Sequence, residues 1–261
     1  MKAIIVAAGR GRRLGPETSE IPKCMVKVAG RSILHRQLDA LVAAGADDIV
    51  IVRGYLGDKI ASPGHPVRFV ENPAWATNNI LASLLYAEAE MDGGFLFSYS
   101  DIVFADQHAR LVAAASGDVA LIVDRLWRDT YVGRQLHPVS EAELAKIDDK
   151  PEGGPPGARV TRVGKRVVSA TEAAGEFSGL AKFSPSGAAA LRRVWQNALA
   201  RGLEQPFGDA ASLRNAYLSD ALNQMADEGA TLTPVLVDGR WREIDTEEDL
   251  FRAHAVVDTW L

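Results

Sequence analysis

The run from Lys2 to Ala8 constrains the fold of this chain more than any other segment. It reads KAIIVAA, and a continuous apolar run of this length is typical of a strand buried on both faces in a parallel sheet. Gly9 and Gly11 follow directly, and glycine lets the backbone approach an anion without a Cβ clash. The N–H groups of such a turn form an anion-binding concavity. The segment therefore predicts a central strand that ends at an anion site, with a plain strand-to-helix turn as the alternative.

Strand and helix patterns alternate through the rest of the first half. Short apolar runs predict strands at 49–52, 67–70, 95–99 and 119–123, and helical spacing predicts helices at 32–44, 78–91 and 106–115. Ser32 is the expected N-cap of the first helix. This alternation predicts an α/β, Rossmann-like, doubly wound and mainly parallel sheet. In such sheets ligands bind at the carboxyl ends of the strands.

The second half begins with a different pattern. Short strand patterns lie at 142–147, 159–163, 166–169 and 178–183, with a hairpin turn expected over 163–166 and a loop tip at 151–157. Helices are predicted at 185–201, 213–228 and 247–260, and strands at 232–237 and 241–244. We therefore predict a single domain over 1–261. Its core would comprise 1–125 and 178–261, and a small β-rich insertion at about 126–177 would form part of the ligand pocket.

Composition limits the partners that this chain can have. Its 29 Lys and Arg against 34 Asp and Glu give a net charge of −5, without the basic surplus of a nucleic-acid binder. Cys24 is the only cysteine, which excludes an intramolecular disulfide and indicates a reducing compartment. No signal-peptide pattern precedes the first strand and no apolar run is long enough to span a bilayer. We therefore expect a cytoplasmic protein with neither nucleic-acid nor membrane partners.

Positive charge is nevertheless concentrated around the first glycines. The segment at 7–15 reads AAGRGRRLG, and Pro22-Lys23 follows. Leu14 stands where a dinucleotide fingerprint has its third glycine, and the G-K-[ST] of a Walker A loop is missing. Arg13 and Lys23 can neutralise phosphates and the charge that develops at phosphorus. A cationic pocket of this kind in an acidic protein favours a small anionic ligand.

The same run resembles the nucleotide-binding loop of the NTP-transferase family, whose members make nucleotide sugars and CDP-linked small molecules. The family pattern A-A-G-x-G-x-R-[LM], P-K and V-x-G is matched by Ala7, Ala8, Gly9, Gly11, Arg13, Leu14, Pro22, Lys23, Val28 and Gly30. The resemblance implies a GT-A-like nucleotidyltransferase fold, in members that are often homodimers. It implies that residues of the loop bind the nucleotide, namely Ala7, Ala8, Gly9, Gly11, Arg12 and Arg13. Lys23 and Arg13 are the predicted catalytic residues.

Two aspartates, Asp101 and Asp245, each follow a strand pattern and so fall on the expected ligand face. Two carboxylates there can share one Mg²⁺ with the phosphates of a nucleotide. The resemblance implies the same roles, since family members place a metal-binding aspartate at each point, and Asp101 is also expected beside the nucleotide. A turn or helix cap is the alternative for each. It is stronger for Asp245, since the sequence DTEE also fits a cap followed by first-turn acids.

The segment after Asn72-Pro73 favours one branch of the family. Sugar-nucleotide members usually carry a G-T-A turn here, whereas this chain reads TNNILASL at 77–84. That segment resembles the phosphocholine and 2-aminoethylphosphonate cytidylyltransferases, as do GEFSGLAKFS at 175–184 and YLSDAL at 217–222. Asn79 and Ser83 lie four residues apart on one helix face. They are predicted to meet the nucleotide, with capping and packing as the alternative.

The acceptor pocket is less well defined by the sequence. Five aromatic residues could offer cation–π contacts to an amino headgroup or belong to the core, namely Trp75, Tyr99, Trp127, Tyr131 and Trp241. Three arginines could instead meet an anionic acceptor, namely Arg125, Arg128 and Arg134. We predict that the acceptor is bound by Tyr131, Glu176, Lys182 and Trp241.

These patterns predict a Mg²⁺-dependent cytidylyltransferase. It would transfer CMP from CTP to a small phosphate or phosphonate acceptor, similar to phosphocholine or aminoethylphosphonate, and release pyrophosphate. A sugar-1-phosphate nucleotidyltransferase that uses UTP, GTP or dTTP is one alternative. A regulatory module that binds nucleotide without turnover is the other.

Overall fold

The computed structural model describes residues 1–62, 64–148 and 157–260. The strands are β1 (Lys2–Ala7), β2 (Lys27–Val28), β3 (Arg31–Ser32), β4 (Asp48–Arg53), β5 (Arg68–Glu71), β6 (Phe95–Tyr99), β7 (Ile102–Phe104), β8 (Val119–Asp124), β9 (Glu143–Asp148), β10 (Arg159–Lys165), β11 (Gly175–Phe183), β12 (Leu232–Val237) and β13 (Trp241–Glu243). The α-helices are α1 (Ile33–Ala43), α2 (Ile80–Leu85), α3 (Asp106–Ala114), α4 (Trp127–Tyr131), α5 (Pro185–Arg201), α6 (Leu218–Asp227) and α7 (Glu247–His254). None of the helices in these ranges is both long enough and apolar enough to span a bilayer.

One sheet of nine strands, counted over the described residues, organises the fold. Its order is β10-β9-β11-β6-β1-β4-β5, and β8 pairs with both β11 and β12. Pairing is parallel from β6 through β1 and β4 to β5, and antiparallel where β11 meets β6, β8 and β9. The α/β class is therefore confirmed, with a mixed central sheet: the doubly wound parallel half continues into an antiparallel half built around β11.

Strand β1 is buried on both faces, as its apolar run predicts. Ile4 and Val6 pack into one hydrophobic cluster, while Ala3, Ile5 and Ala7 pack into another on the opposite side of the sheet. Successive side chains of a strand point to opposite faces, so only a strand covered on both sides can be apolar at every position. This burial fixes β1 at the centre of the sheet, with its carboxyl end at the edge where the glycines begin.

The two halves of the sheet are joined by aromatic packing. Phe95 of β6 lies opposite Phe183 of β11 in the antiparallel register, and their rings stack with centroids 4.8 Å apart. Both side chains are fully buried. A stacked pair of this kind adds about 0.5–1.5 kcal/mol beyond the burial of its area. The contact seats β11 beside β6 and so places the antiparallel half next to the strand that leads to Asp101.

Most predicted elements are present, and α5 and β12 match their predicted bounds. Ser32 caps α1 by accepting the N–H of His35 at 3.2 Å. Five predictions need correction. The hairpin turn over 163–166 is wrong because β10 continues to Lys165, and 166–169 is not a strand. The helices predicted at 78–91, 213–228 and 247–260 are shorter, since each is interrupted by a 3₁₀ turn.

Residues 126–148 and 157–177 extend the sheet rather than forming a separate layer. Strands β9 and β10 pair antiparallel, and β9 adds to β11 at the register of Gly175 and Glu176. Residues 151–156 of the predicted loop tip lie outside the described residues. The insertion boundaries at 126 and 177 stay a prediction, but the strands that flank them place the insertion beside the carboxyl end of β6.

Candidate active site

The glycine loop at 7–15 packs directly against Lys23, which follows it in the sequence motif. Gly11 has a φ of +66° in the left-handed region, and a Cβ there would lie 2.8 Å from Cδ of Lys23. A side chain at position 11 is therefore disfavoured both by backbone strain and by collision with the lysine stem. Ala7 and Ala8 are buried at the end of β1, while Gly9 is exposed. The backbone of the loop is thus exposed at Gly9, and the side chain of Lys23 packs against the loop at Gly11.

Pairing between β7 and β13 brings the two strand-end aspartates together. Glu243 of β13 lies opposite Ile102 of β7, and the N–H of Ile244 donates to the carbonyl of Asp101 at 2.8 Å. Asp101 and Asp245 therefore project from adjacent strand ends although 143 positions separate them in sequence. The parallel edge of the sheet and this small two-stranded ribbon together form the floor of the site.

One lysine joins both aspartates. The ammonium of Lys23 donates to Asp101 Oδ2 at 2.6 Å and also to Asp245 Oδ1. The guanidinium of Arg13 donates to the other carboxylate oxygen of Asp245. The side chains of Lys23 and Asp245 are only 9% and 7% exposed. The structure thus brings together the four charged residues that the sequence placed at the reacting centre, whose roles stay a prediction.

The charges in this cluster stabilise one another. Burial by itself would lower the pKa of Lys23, but the carboxylates of Asp101 and Asp245 outweigh it and raise that pKa well above its usual range. Burial would raise the pKa of Asp245, yet Lys23 and Arg13 hold it below the usual range. Burial and the neighbouring carboxylates of Asp245 and Asp101 raise the pKa of Glu243. Lys23 and Asp245 are therefore charged near neutral pH.

The carboxylates of this cluster have the chemistry that Mg²⁺ prefers. Oδ1 of Asp101 is buried and has no hydrogen-bond partner among the described residues, which is unfavourable for a carboxylate oxygen unless a cation or donor meets it. Asp101 and Asp245 both reach the single ammonium of Lys23, so their oxygens converge. Mg²⁺ is bound through one or two carboxylates and completes its octahedron with water and substrate phosphates. These residues therefore fit the ion that the sequence predicts.

A cavity of about 240 Å³ lies over the cluster. Its walls are Val6, Arg13, Asn79, Ile80, Tyr99, Ser100, Asp101, Glu143, Lys165, Tyr217, Glu243 and Asp245. A neighbouring cavity of about 520 Å³ shares Asn79, Lys165 and Tyr217 with it. The site therefore lies between the glycine loop on one side and the strands of the predicted insertion on the other.

The insertion side of the site is strongly acidic. We define the acidic wall as Glu141, Glu143, Glu176 and Glu243, which line one small depression together with Lys165. Burial raises the pKa of Glu143 to about 7, although the hydroxyl of Tyr99 donates to it at 3.3 Å. The acidic wall therefore gathers four carboxyl groups around Lys165, the one basic residue among its described lining residues.

A second buried carboxyl sits deeper in the same wall. Burial raises the pKa of Glu176 to about 8, against the opposing effect of the Tyr131 hydroxyl, which donates to its Oε1 at 2.7 Å. Its Oε2 is buried without a partner among the described residues. An orphaned carboxylate oxygen of this kind is expected to face a ligand or water. The predicted acceptor residues Tyr131 and Glu176 are thus one hydrogen-bonded pair.

Two predicted nucleotide residues lie at the start of α2 but differ in surroundings. Asn79 is the N-cap, with Oδ1 accepting from Ile80 N at 2.8 Å, and it also lines both cavities. Ser83 is buried, accepting from Asn72 Nδ2 at 2.9 Å and donating to Asn78 at 3.1 Å. Asn79 thus combines capping with exposure to the site. The prediction for Ser83 needs correction, because its hydroxyl is used in internal packing.

Arg12, which was also predicted to bind the nucleotide, lies exposed on the glycine loop.

The two remaining predicted acceptor residues, Trp241 and Lys182, lie in different places. Trp241 is buried beside the acidic wall and donates from Nε1 to Asp124 at 2.8 Å. Lys182 lies elsewhere: its ammonium donates to the carbonyls of Ala113 and Ala115, at 2.8 and 2.7 Å, at the end of α3. Lys182 was therefore wrongly placed at the acceptor, because a lysine that caps a helix carries no distinguishing sequence signal.

The arginines considered for an anionic acceptor have other partners. Arg125 pairs with Asp238 at 2.6 Å, and Arg134 pairs with Asp249 at 2.7 Å. Arg128 donates to the carbonyl of Ala170 and stacks over the ring of Trp127.

Sequence reasoning missed Glu143, Lys165, Tyr217 and Glu243 as site residues. Lys165 lies with its ammonium 5.1 Å from the centre of the Tyr217 ring and 3.3 Å from Glu141. Glu143 and Lys165 lie on strands whose charged residues could equally have faced solvent. Tyr217 and Glu243 had usable signals. Tyr217 opens the segment YLSDAL that resembles the cytidylyltransferase branch, and Glu243 lies two residues before Asp245 at the end of a strand, where alternate residues share a face.

Comparison with known proteins agrees with this geometry. Residues 3–148 match the model of the MobA-like NTP transferase domain, and the chain belongs to this family. It is a nucleotidyltransferase. It is 27% identical to the CTP:phosphoglutamine cytidylyltransferase of Campylobacter jejuni over 96% of this chain and 98% of that protein. It is 30% identical to the 2-aminoethylphosphonate cytidylyltransferase of Lancefieldella rimae over 79% and 77%.

A solved structure shares the fold. The CTP:phosphocholine cytidylyltransferase of Streptococcus pneumoniae superimposes with a TM-score of 0.74 at 19% identity, over 98% of both chains. This likeness supports the mixed sheet described above along nearly the whole chain.

Proposed function

We propose that this protein transfers CMP from CTP to a small phosphate or phosphonate that carries an amino group, and releases pyrophosphate. The main support for this proposal is the cluster of ion pairs that Lys23 and Arg13 form with Asp101 and Asp245 beside the exposed glycine loop. This places cations and metal-type carboxylates at one point at the carboxyl end of the sheet, which is where a triphosphate would be held.

The reaction needs positioning and charge neutralisation. An anionic oxygen of the acceptor attacks the α-phosphorus of CTP, the new O–P bond forms, and the bond from that phosphorus to the bridging oxygen breaks as pyrophosphate leaves. A general base is unnecessary because the attacking oxygen is already deprotonated. Lys23 and Arg13 neutralise the phosphates and the charge that develops at phosphorus. When bound, Mg²⁺ held by Asp101 and Asp245 would add Lewis-acid polarisation of the phosphoryl oxygens.

The base preference is inferred from the relatives. Both of the relatives described above are cytidylyltransferases, and one of them covers almost the whole chain. The segment at 77–84, where sugar-nucleotide members have a G-T-A turn, places Asn79 at the cavity. These two observations support CTP over UTP, GTP or dTTP.

The acidic wall supports an amino group on the acceptor. Glu141, Glu143, Glu176 and Glu243 surround one depression whose only basic residue is Lys165. A cation placed there would satisfy the partnerless Oε2 of Glu176 and offset the burial and the carboxylate repulsion that raise the pKa of Glu243. Lys165 is then left to contact the phosphate or phosphonate end. The two named acceptors of the relatives, phosphoglutamine and 2-aminoethylphosphonate, both fit this charge pattern.

Pyrophosphate release is the direct test. Purified protein with Mg²⁺ is assayed with CTP, UTP, GTP, dTTP and ATP against phosphocholine, 2-aminoethylphosphonate, phosphorylated amino-acid derivatives, inositol phosphate and glucose 1-phosphate. We expect turnover with CTP and an amino-bearing acceptor, and its loss on chelation of the metal. Turnover confined to UTP, GTP or dTTP with a sugar 1-phosphate would replace the proposal by the sugar-nucleotide alternative. Tight CTP binding without any turnover would favour the regulatory module.

A further inference from the structure

A buried polar network lies next to Asp245. It consists of Arg134, His137 and Asp249, whose side chains are 7%, 0% and 2% exposed. None of these three residues lines the cavity over the Lys23 cluster. Buried charged groups are costly unless they are fully paired. Each charged group of this network must therefore be paired inside the protein.

Asp249 holds the backbone of Asp245. Its Oδ2 accepts the N–H of Asp245 at 3.1 Å and that of Thr246 at 2.9 Å. The hydroxyl of Thr246 in turn accepts the N–H of Asp249 at 3.2 Å, which completes a capping box at the start of α7. The N-cap within DTEE is therefore Thr246, not Asp245, and Asp249 just beyond it completes the capping box. The carboxylate of Asp245 faces Lys23 and Arg13 instead.

Arg134 fixes Asp249 from the other side. Its Nε donates to Oδ1 of Asp249 at 2.7 Å, and its Nη2 donates to Nδ1 of His137 at 2.8 Å. The planar guanidinium therefore bridges the capping aspartate and the histidine with two donors in fixed geometry. The ring of Tyr131 covers the guanidinium at 5.0 Å from its centre. Asp249 is held in one rotamer, and the backbone at Asp245 with it.

His137 lies between the two carboxylates that flank Ile244. Its Nδ1 is 3.8 Å from Asp245 Oδ2, and its Nε2 is 3.4 Å from Glu243 Oε2. A neutral imidazole whose Nδ1 accepts from Arg134 carries its proton on Nε2. His137, Glu243 and Asp245 could geometrically hold a cation, but Nδ1 of His137 already accepts from Arg134, and its Nε2 forms no hydrogen bond with the described residues. The histidine therefore fixes the guanidinium of Arg134, which in turn holds Asp249.

We propose that Arg134 and His137 are positioning residues that set Asp245 for divalent-cation binding. This inference rests on the proposed function, because Asp245 is taken to be a metal ligand. Groups that orient metal ligands from behind typically change metal affinity or activity by about 10–100-fold when removed. The loop that carries Arg134 and His137 starts the predicted insertion, so the acceptor side of the molecule also supports the metal side.

The test compares Mn²⁺ binding by electron paramagnetic resonance in wild type, His137→Phe, His137→Asn and Arg134→Lys. Phenylalanine removes both ring nitrogens, whereas the asparagine oxygen can still accept from Arg134. Lysine keeps the charge of Arg134 but not its two-pronged contact. We expect Mn²⁺ affinity to fall by about 10–100-fold in His137→Phe and Arg134→Lys and to be largely retained in His137→Asn. The Mg²⁺ concentration for half-maximal turnover should rise in parallel, with little change in the KM for CTP.

Arg252→Gln is the matched control. Arg252 ties the same region to α7 through the carbonyls of Thr130 and Val132, at 3.2 and 3.0 Å, and pairs with Glu248 at 3.3 Å. Within the described residues it forms no hydrogen bond or ion pair with Asp249 or His137. Its loss should lower the thermal stability but leave Mn²⁺ affinity unchanged. A folded His137→Phe or Arg134→Lys variant with wild-type affinity, or wild-type protein that binds no Mn²⁺, would overturn the proposal. Wild-type protein that binds Mn²⁺ normally but turns over no acceptor would instead count against the proposed function.

Discussion

The nucleotide side and the acceptor side of the site are built in different ways. The nucleotide side uses one contiguous segment at 7–23, and its glycines, arginine and lysine meet because the chain turns back on itself after β1. The acceptor side gathers the acidic wall from three separate places in the sequence, namely 141–143, 176 and 243. A contiguous motif specifies the chemistry that all members of a fold family share. A surface assembled from distant strands can change residue by residue, and so it is the side on which substrate choice can vary.

The largest expected effect is on the nucleotide side. Lys23→Ala and Asp101→Ala should each lower kcat by more than about 100-fold, the scale seen when one preorganised charge partner is removed from a reacting centre. Steady-state pyrophosphate release measures this, with thermal unfolding to confirm that the variants fold. Glu17→Ala is the control, because Glu17 is exposed in the same segment and has no predicted role in the site. Near-normal turnover by folded Lys23 and Asp101 variants would remove the cluster from the reaction.

A smaller and more selective effect is expected on the acceptor side. Glu143→Gln and Glu176→Gln should raise the KM for an amino-bearing acceptor by about 10-fold or more, since a hydrogen bond to a charged group contributes about 1.5–3 kcal/mol. The KM for CTP should change little, so kinetics with each substrate varied in turn will separate the two sides. An equal increase in both constants would show that the acidic wall does not discriminate between the substrates.

The same two glutamates predict a pH dependence of stability. Burial raises the pKa of Glu143 to about 7 and that of Glu176 to about 8, so the folded state holds these protons more tightly than the unfolded chain. Their contribution is fully present below the ordinary glutamate pKa and is lost as the pH rises through about 7 to 8. Either glutamine variant should therefore be more stable than wild type at about pH 9, on the order of 2 kcal/mol. Denaturant unfolding at several pH values measures this, and parallel wild-type and variant profiles would contradict it.

The smallest effect is expected outside the site. Lys182→Met removes the ammonium that meets the last carbonyls of α3, and should cost about 1 kcal/mol, or a few degrees in Tm. Its KM for the acceptor should equal that of wild type, which calorimetric melting and acceptor kinetics can test together. A raised acceptor KM at unchanged Tm would return Lys182 to the acceptor side.

Local features of the sequence are responsible for much of the fold. The apolar run of β1, the Ser32 cap of α1 and the bounds of α5 depend on neighbouring residues, so periodicity and capping chemistry predict them. The strand predicted at 166–169 failed because a turn signal at Gly164 was read as a hairpin, whereas β10 stays paired with β9 up to Lys165. Tertiary pairing overrode a local turn preference there.

The sequence by itself determined the glycine loop, its lysine, the two strand-end aspartates and the class of enzyme to which they belong. Only the tertiary structure decided that β7 and β13 pair, so that Asp101 and Asp245 meet at one ammonium. It also decided which charged residues of β11 face the site. Glu176 lies in the acidic wall, whereas Lys182 contacts the end of α3. The physical reason is that a motif records contacts along the chain. The orientation of a buried charged side chain depends instead on partners from distant parts of the chain. Arg134, for example, is held by Asp249.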